Sequence, residues 1–431
     1  MGVVLPAKAK TGQTRYSSRM SHRSHPHALP LWQVLICGAL VVTLAMGIRH
    51  GFGLWLQPIT VERGWQREDF SMAIAIQNLA WGVAGIFSGM VADRFGAFRV
   101  IVVCAVAYAL GLVGMAYSHN PAVFSLTAGV LVGVAQAGTT YAVVYGVIGR
   151  NVVAEQRSWA MGITAAAGSF GQFLMVPTEG WLIANLGWDT ALVVLAAMAL
   201  LVVPLAFGLR EKVFTTGTVT QRQSIGSALR EAFGYRSFQL LMAGYFVCGF
   251  QVVFIGVHLP SYLKDLGQPP QLASTALALV GLFNVFGTYI AGWAGQRVSK
   301  PRILSFIYFM RSVAIVAFLI APVTPWSVYL FASAMGLLWL STVPPTNATI
   351  AQIFGVAHLS MLGGFVFFSH QIGSFMGVWL GGLLYDQTGS YDIVWYLSIA
   401  LGLFAAVVNW PVSEQPIARG QSAQAVPAGS A

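Results

Sequence analysis

Charge is scarce in this chain. Asp, Glu, Lys and Arg make up 8% of its 431 residues, against roughly 25% in an average soluble domain. A soluble fold of this length needs charged side chains to cover its surface, so their shortage excludes one. Apolar side chains, 57% of the total, must face lipid instead. Cysteine is limited to Cys37, Cys104 and Cys248, each inside an apolar run. Such thiols behave as small hydrophobes, so neither a disulfide framework nor a metal site follows. The chain has no Gly-x-x-x-x-Gly-Lys-Ser/Thr loop to cradle phosphates and no His-Glu-x-x-His or Cys-x-x-Cys spacing to hold a metal. No cofactor is expected, and no clustered nucleophile, acid pair or metal set points to an enzyme. The net charge of +10 is not arranged as a basic patch interleaved with aromatics, so nucleic acid is not an expected partner.

What is present is apolar length. A helix needs about 20 apolar residues to cross the hydrocarbon core. Such stretches occur near 32–56, 70–91, 100–117, 122–148, 159–183, 189–209, 237–259, 272–294, 302–320, 326–349, 360–384 and 391–410. The chain therefore reads as an all-α integral membrane protein with twelve transmembrane helices, here called spans 1 to 12. Residues 1–30 read as a disordered tail, 31–209 and 237–411 as two six-helix bundles, 210–236 as a loop joining them, and 412–431 as a second tail. With the N-terminus placed in the cytoplasm, 18 of the 23 Lys and Arg fall inside and three outside. The positive-inside rule supports that orientation, with both termini cytoplasmic. A bacterial inner membrane fits the pattern.

The halves repeat one another. At an offset of 202, Pro58 falls on Pro260, Gly162 on Gly364, Gly171 on Gly373 and Gly187 on Gly389. At 203, Gly89 falls on Gly292, Arg94 on Arg297 and Arg99 on Arg302. A parallel repeat of six spans is a transporter architecture, with a substrate site near the midplane between the halves. Small residues at four-residue spacing, such as Gly85/Gly89 and Gly373/Gly377/Gly381, mark expected close helix contacts.

Between spans 2 and 3 stands Gly89-Met-Val-Ala-Asp93-Arg94-Phe-Gly96-Ala-Phe-Arg99. This segment resembles the loop motif of the major facilitator superfamily, and with twelve spans and a basic central loop the resemblance covers essentially the whole chain. Ala97 and Phe98 replace the basic residues usual after the glycine, and the second-half copy, ending in Arg297 and Arg302, carries Gln296 in place of an acid. The resemblance implies that Asp93 latches the halves together on the cytoplasmic side, with Arg94, Arg150, Glu155 and Arg157 as candidate partners. An aspartate there can also accept from a helix N-terminus. The plainer alternative is a solvated turn carrying ordinary cytoplasmic charges.

Further segments narrow the resemblance: Arg49-His50-Gly-Phe-Gly in span 1, His258-Leu-Pro-Ser-Tyr-Leu after span 7, Ser369-His370-Gln371, and Gly389-Ser-Tyr-Asp392. They look like the branch that holds monocarboxylate transporters and oxalate/formate exchangers. Members bind small carboxylates, by proton symport or exchange. Some carry basic residues in spans 8 and 11, where this chain has Asn284 and His370.

Ionisable groups inside a span cost about 2.5–3.5 kcal/mol at mid-helix and so need a reason. Arg49 in span 1 suits two-point binding of a carboxylate; the alternatives are a salt bridge to Glu179 on span 5, or snorkelling. Arg311 lies nine residues past Arg302, roughly 13 Å deeper, either as an anion site or half–half lock or as a cap on buried carbonyls. His370, an imidazole near the centre of span 11, suits substrate binding or proton coupling, or is a packed core histidine. His50 and Glu179, the lone acid within a span, are the other proton-coupling candidates. Tyr141 and Tyr145, four apart on one face, rank with Asn284 as supporting substrate contacts. Gln77, Asn78, Gln136, Gln172, Gln251, Asn347 and Gln371 complete the polar set, each also able to serve as an interhelical hydrogen bond.

The expected function is secondary transport of a small organic anion, a monocarboxylate, by alternating access, with proton symport or exchange. A monomer in the bilayer suffices. Efflux of hydrophobic drugs or metabolites is the alternative on the same fold. A non-transporting sensor or channel is the alternative from another class.

Overall fold

A computed structural model describes residues 2, 29–152, 154–211, 225–355 and 359–417. The proposed N-terminal tail and most of the C-terminal one lie outside these residues. Among the described residues twelve helices are long and apolar enough to cross a membrane: Leu31–Arg63, Arg67–Ala92, Ala97–Tyr117, Pro121–Asn151, Trp159–Leu186, Trp188–Phe207, Arg236–Asp265, Pro270–Ala294, Lys300–Ile320, Pro325–Phe354, Met361–Thr388 and Asp392–Asn409. These are spans 1 to 12. In lipid every main-chain polar group must find a partner within the protein, which is why apolar length becomes helix. Span 7 runs past its expected end near 259 to Asp265, so the segment from His258 to Leu263 lies within the span and not after it. The segment 210–236 is not only a loop, because Ile225–Gly234 forms a further helix.

Besides a short interruption at Leu201 in span 6, three spans depart from regular helix. In span 1 a 3₁₀ turn, Phe52–Trp55, joins Leu31–His50 to Leu56–Arg63. Span 4 carries a π-helical stretch, Ser125–Leu131, and breaks at the extended Thr140. Span 10 stops at Leu338 and resumes at Val343. The break in span 10 follows from Pro344 and Pro345, which have no N–H to offer the preceding turn. The breaks at Thr140 and Thr342 stand at the same 202-residue offset as the sequence repeat.

One end of the bundle holds the basic segments around Arg94, Arg150 and Arg297; the other holds the short turns at 63–67, 186–188 and 388–392. At this second end, poor in basic charge, the first and last six spans meet. The Arg67 guanidinium donates to both Asp265 carboxylate oxygens at 2.7 Å and to the Tyr391 hydroxyl at 2.7 Å, and it lies 3.7 Å from the centre of the Tyr385 ring. Asp386 accepts from the main-chain N–H groups of Arg67 and Glu68, an acid placed at the N-terminus of span 2 where the helix dipole favours it. Glu68 accepts from the Trp379 indole.

Contact continues to mid-depth. Gly82 of span 2 packs on Gln371 and Phe368 of span 11, and Gly281 of span 8 packs on Gln172 of span 5. Further toward the basic end the same faces part. Gly85 and Gly89 share a face with Gly82, yet among the described residues a Cβ on either would meet nothing within 4 Å, and the same holds for Gly162 and Gly364. The Gly85/Gly89 pair therefore does not mark the close contact expected of it. Gly373 and Gly377 do: both press on the backbone of Phe250 in span 7.

Candidate functional site

Where closed and parted regions meet, Arg49 ends the first helix of span 1. Its Nη2 donates to the Asn78 side-chain oxygen on span 2, and its guanidinium stands 4.6 Å from the centre of the Trp81 ring. Its Nε is buried with no partner. No ion pair joins Arg49 to Glu179 among the described residues. Glu179 is fully buried and accepts from the Trp55 indole N–H at 2.9 Å.

Arg49 and His50 line a small cavity of about 30 Å³ with Gln172 of span 5, valines of span 7 and Trp339 of span 10. That is room for a water or two, not for an organic anion. Gln172 spans the halves, donating to the Leu277 carbonyl of span 8 at 2.9 Å while its own Oε1 stays unpartnered. His50 has Nδ1 at 2.6 Å from the Met46 carbonyl. Tyr141 is within electrostatic reach of Arg49, and the Tyr141 and Tyr145 rings stand 5.5 Å apart, so the expected pairing of the two tyrosines is present beside the arginine.

His370 is nearly buried. Its Nδ1 lies 3.0 Å from Gln371 Oε1, and its ring stacks on Phe367, which in turn packs edge-on against Trp81. Gln371 donates to the Asn78 carbonyl at 3.1 Å. Arg49 and His370 are thus joined across the halves by two short bridges, one polar and one aromatic.

Arg311 and Asn284 sit elsewhere. Arg311 is fully buried; its Nε and Nη2 donate to the Leu338 carbonyl at 3.1 and 2.6 Å, Nη2 also reaches the Trp339 carbonyl, and Nη1 lies 3.4 Å from Gln251. Asn284 accepts from the Leu340 main-chain N–H at 2.9 Å and donates to Ser169 at 2.9 Å. Both side chains therefore satisfy main-chain groups freed by the break in span 10. Of the two readings offered for Arg311, its geometry is that of the carbonyl cap.

Around the motif, the chain turns at Gly96 with φ +89°, a conformation that favours glycine. Arg94 and Arg99 are exposed, and Arg297 lies over Trp293 at 4.0 Å. Arg150 pairs with Glu211. The side chains of Asp93, Glu155 and Arg157 lie outside the described residues.

Sequence reasoning missed the Arg67–Asp265 clasp. Glu68 holds Trp379 and Asp69 caps the start of span 2. Aromatic and acidic residues clustered near 379–392 were the available signal.

The sequence profile of the Major Facilitator Superfamily matches residues 35–355 and 241–429. An uncharacterized MFS-type transporter of Bacillus subtilis, YcxA, is 25% identical over 395 residues, 88% of this chain and 94% of its own. Monocarboxylate transporter 13 of Rattus norvegicus is 25% identical, with 84% of this chain and 83% of its own covered. Multidrug resistance protein MdtH of Klebsiella pneumoniae is 24% identical, with 91% and 96% covered. A bacterial homolog to the human lysosomal transporter Spinster, solved in an inward-facing and unoccupied conformation, shares the fold with a TM-score of 0.70 at 15% identity, covering 88% of this chain and 96% of that one. This multi-pass membrane chain belongs to the Major Facilitator Superfamily and is a secondary transporter, not an enzyme.

Proposed function

We propose that the protein carries a small organic anion, a monocarboxylate, by alternating access. Arg49 carries the reading. It is a guanidinium at mid-depth between the halves, with no acid among the described residues within ion-pair distance and with one N–H unpartnered there. A cation kept there has a use if an anion completes its shell, and the planar fork of Arg fits a carboxylate at two points. Tyr141, Tyr145 and, from span 11, His370 are the further substrate contacts. The likeness to a monocarboxylate transporter supports the same class.

In this reading residues 31–209 and 237–411 rock as two bundles joined by 210–236. The basic end faces the cytoplasm, together with both termini, so the parted faces open inward and the Arg67–Asp265 clasp shuts the outside. The Asp93 motif would latch the cytoplasmic side in the opposite state, with Arg94, Arg150 and Arg157 as its cations. Arg311 and Asn284 keep span 10 in shape and leave the substrate set.

The test is uptake of radiolabelled lactate, pyruvate, formate and oxalate into proteoliposomes, with and without an inward proton gradient, by wild type, Arg49→Ala and Arg49→Lys. Saturable uptake lost in Arg49→Ala is expected. Undiminished uptake by that variant would remove the arginine from the site. A second reading, efflux of hydrophobic compounds, is favoured by the valine and tryptophan lining of the cavity and by the likeness to MdtH. It predicts dye export that survives Arg49→Ala.

A further inference from the structure

We infer that Glu179 is the proton-binding site of this transporter, and that its proton sets whether Arg49 is free to hold the substrate. The inference rests on the anion-transport reading and adds the coupling site to it.

Glu179 is the one acid among the described residues that is fully buried. One carboxyl oxygen accepts from Trp55, and the other has no partner. An isolated carboxylate is so costly to bury as an ion that it takes up a proton instead. Among the described residues no basic group comes within ion-pair distance. Span 1 presents Trp55 and Gly51, with His50 and Arg49 on the residues just before. Span 3 brings the Tyr108 phenol into electrostatic reach. Span 4 meets span 5 at Tyr141 and Gly168, eleven residues away along the helix. Span 8 contributes Ser274 beside Gly180, and the Asp189 of span 6 is exposed at the end of the bundle.

The carboxyl also sits at a mechanically relevant place. It fills the space where a Cβ of Gly51 would be, and Gly51 is where the regular helix of span 1 gives way to the 3₁₀ turn. Two residues on, Gly53 lies against the Gly256 carbonyl of span 7, so the same turn touches the opposite half. Tyr108 feels both Glu179 and Arg49. With the proton bound, Glu179 is neutral and the Arg49 charge is answered by the substrate carboxylate. With the proton gone, Glu179 becomes a competing anion and the substrate is released. A proton and a monocarboxylate then travel together with no net charge moved.

The experiment uses the full chain in phosphatidylethanolamine–phosphatidylglycerol proteoliposomes. Infrared spectra across pH, in light and heavy water, read the carbonyl stretch of a protonated buried carboxylic acid. The band is expected in wild type and lost in Glu179→Gln; a band unchanged by that substitution overturns the inference. Should Glu179→Gln fail to fold, Trp55→Phe keeps the acid but removes its hydrogen bond, so the band must shift, and an unshifted band again overturns it. In transport, Glu179→Gln is expected to lose lactate accumulation driven by a proton gradient while keeping lactate counterflow. Gradient-driven accumulation equal to wild type overturns the inference. If wild type moves no carboxylate, the anion reading falls while the infrared arm still decides whether Glu179 holds a proton.

Discussion

Gln371 of span 11 donates its side-chain amide to the main-chain carbonyl of Asn78 on span 2, 3.1 Å away. The side chain of that same Asn78 accepts from Arg49, so one residue of the first half serves the expected substrate cation and the opposite half together. In a rocking motion of the two halves the Gln371 bond is the one that crosses the joint, while the Arg49 bond lies within the first half. Substrate binding at Arg49 can thereby be felt at the joint between the halves, which is what a carrier needs if occupancy is to bias one closed state over the other.

The two buried arginines should separate cleanly. Arg311→Ala strips the caps from the Leu338 and Trp339 carbonyls and should lower stability by about 2–5 kcal/mol, read as an earlier thermal unfolding transition in detergent. Arg49→Ala, which orphans only the Asn78 oxygen, should unfold close to wild type and lose transport. If Arg311→Ala melts like wild type and only transport is lost, its carbonyl-cap role is wrong.

The Arg67–Asp265 clasp is bidentate and partly shielded, with side-chain exposures of 13% for Arg67 and 27% for Asp265. Arg67→Ala and Asp265→Ala should each raise labelling of a cysteine placed at Ser71, buried against Gly382 of span 11 one turn below the clasp, by a membrane-impermeant maleimide added outside. In a double-mutant cycle on stability the pair should show a coupling of about 1–2 kcal/mol, within the range for contacting residues. Additive effects would mean that the clasp does not hold the halves together.

Gly53 lies so close to the Gly256 carbonyl that a Cβ there would overlap it. Gly53→Ala should therefore disfavour closure of the end that holds the clasp. Double electron–electron resonance between spin labels on the 63–67 and 388–392 turns should report a longer distance in the variant. An unchanged distance distribution would show that the close approach does not select this state.

Glu414, beyond span 12, accepts from the Lys300 ammonium at 3.0 Å. Burial opposes its ionisation, but the hydrogen bonds from Lys300 and Ser299 outweigh that and hold its carboxyl below the usual value of 4.5. The stabilisation is present above pH 4.5 and is lost as pH falls below it through the lowered native value. For a partly exposed pair it should be about 1 kcal/mol or less. Melting temperature followed from pH 6 to about 3 should fall more gently in Glu414→Gln than in wild type; parallel curves would count against the pair.

Much of this was legible along the chain because the bilayer imposes a length. Twelve apolar runs became twelve spans, and the depth of Arg311 was readable from its distance past Arg302. Its use was not, since that depended on span 10 breaking beside it, although Pro344 and Pro345 were the cue. The Tyr141–Tyr145 pair was legible because helix periodicity is local. The Arg67–Asp265 clasp was not, for its members are 198 positions apart and nothing local distinguishes them from ordinary turn charges.

The amino-acid sequence by itself determined that the chain lives in lipid, how often it crosses, that it repeats, and which few ionisable groups pay to be inside, because composition, length and spacing are properties of the chain alone. Tertiary structure decided which of those groups share a site. Arg49 meets Asn78 and is tied through Gln371 to His370, Arg311 is spent on a broken helix, and Glu179 is left with a single indole for company. A buried charge takes its role from the groups brought within a few ångströms of it, and only the packing of helices distant in sequence brings them there.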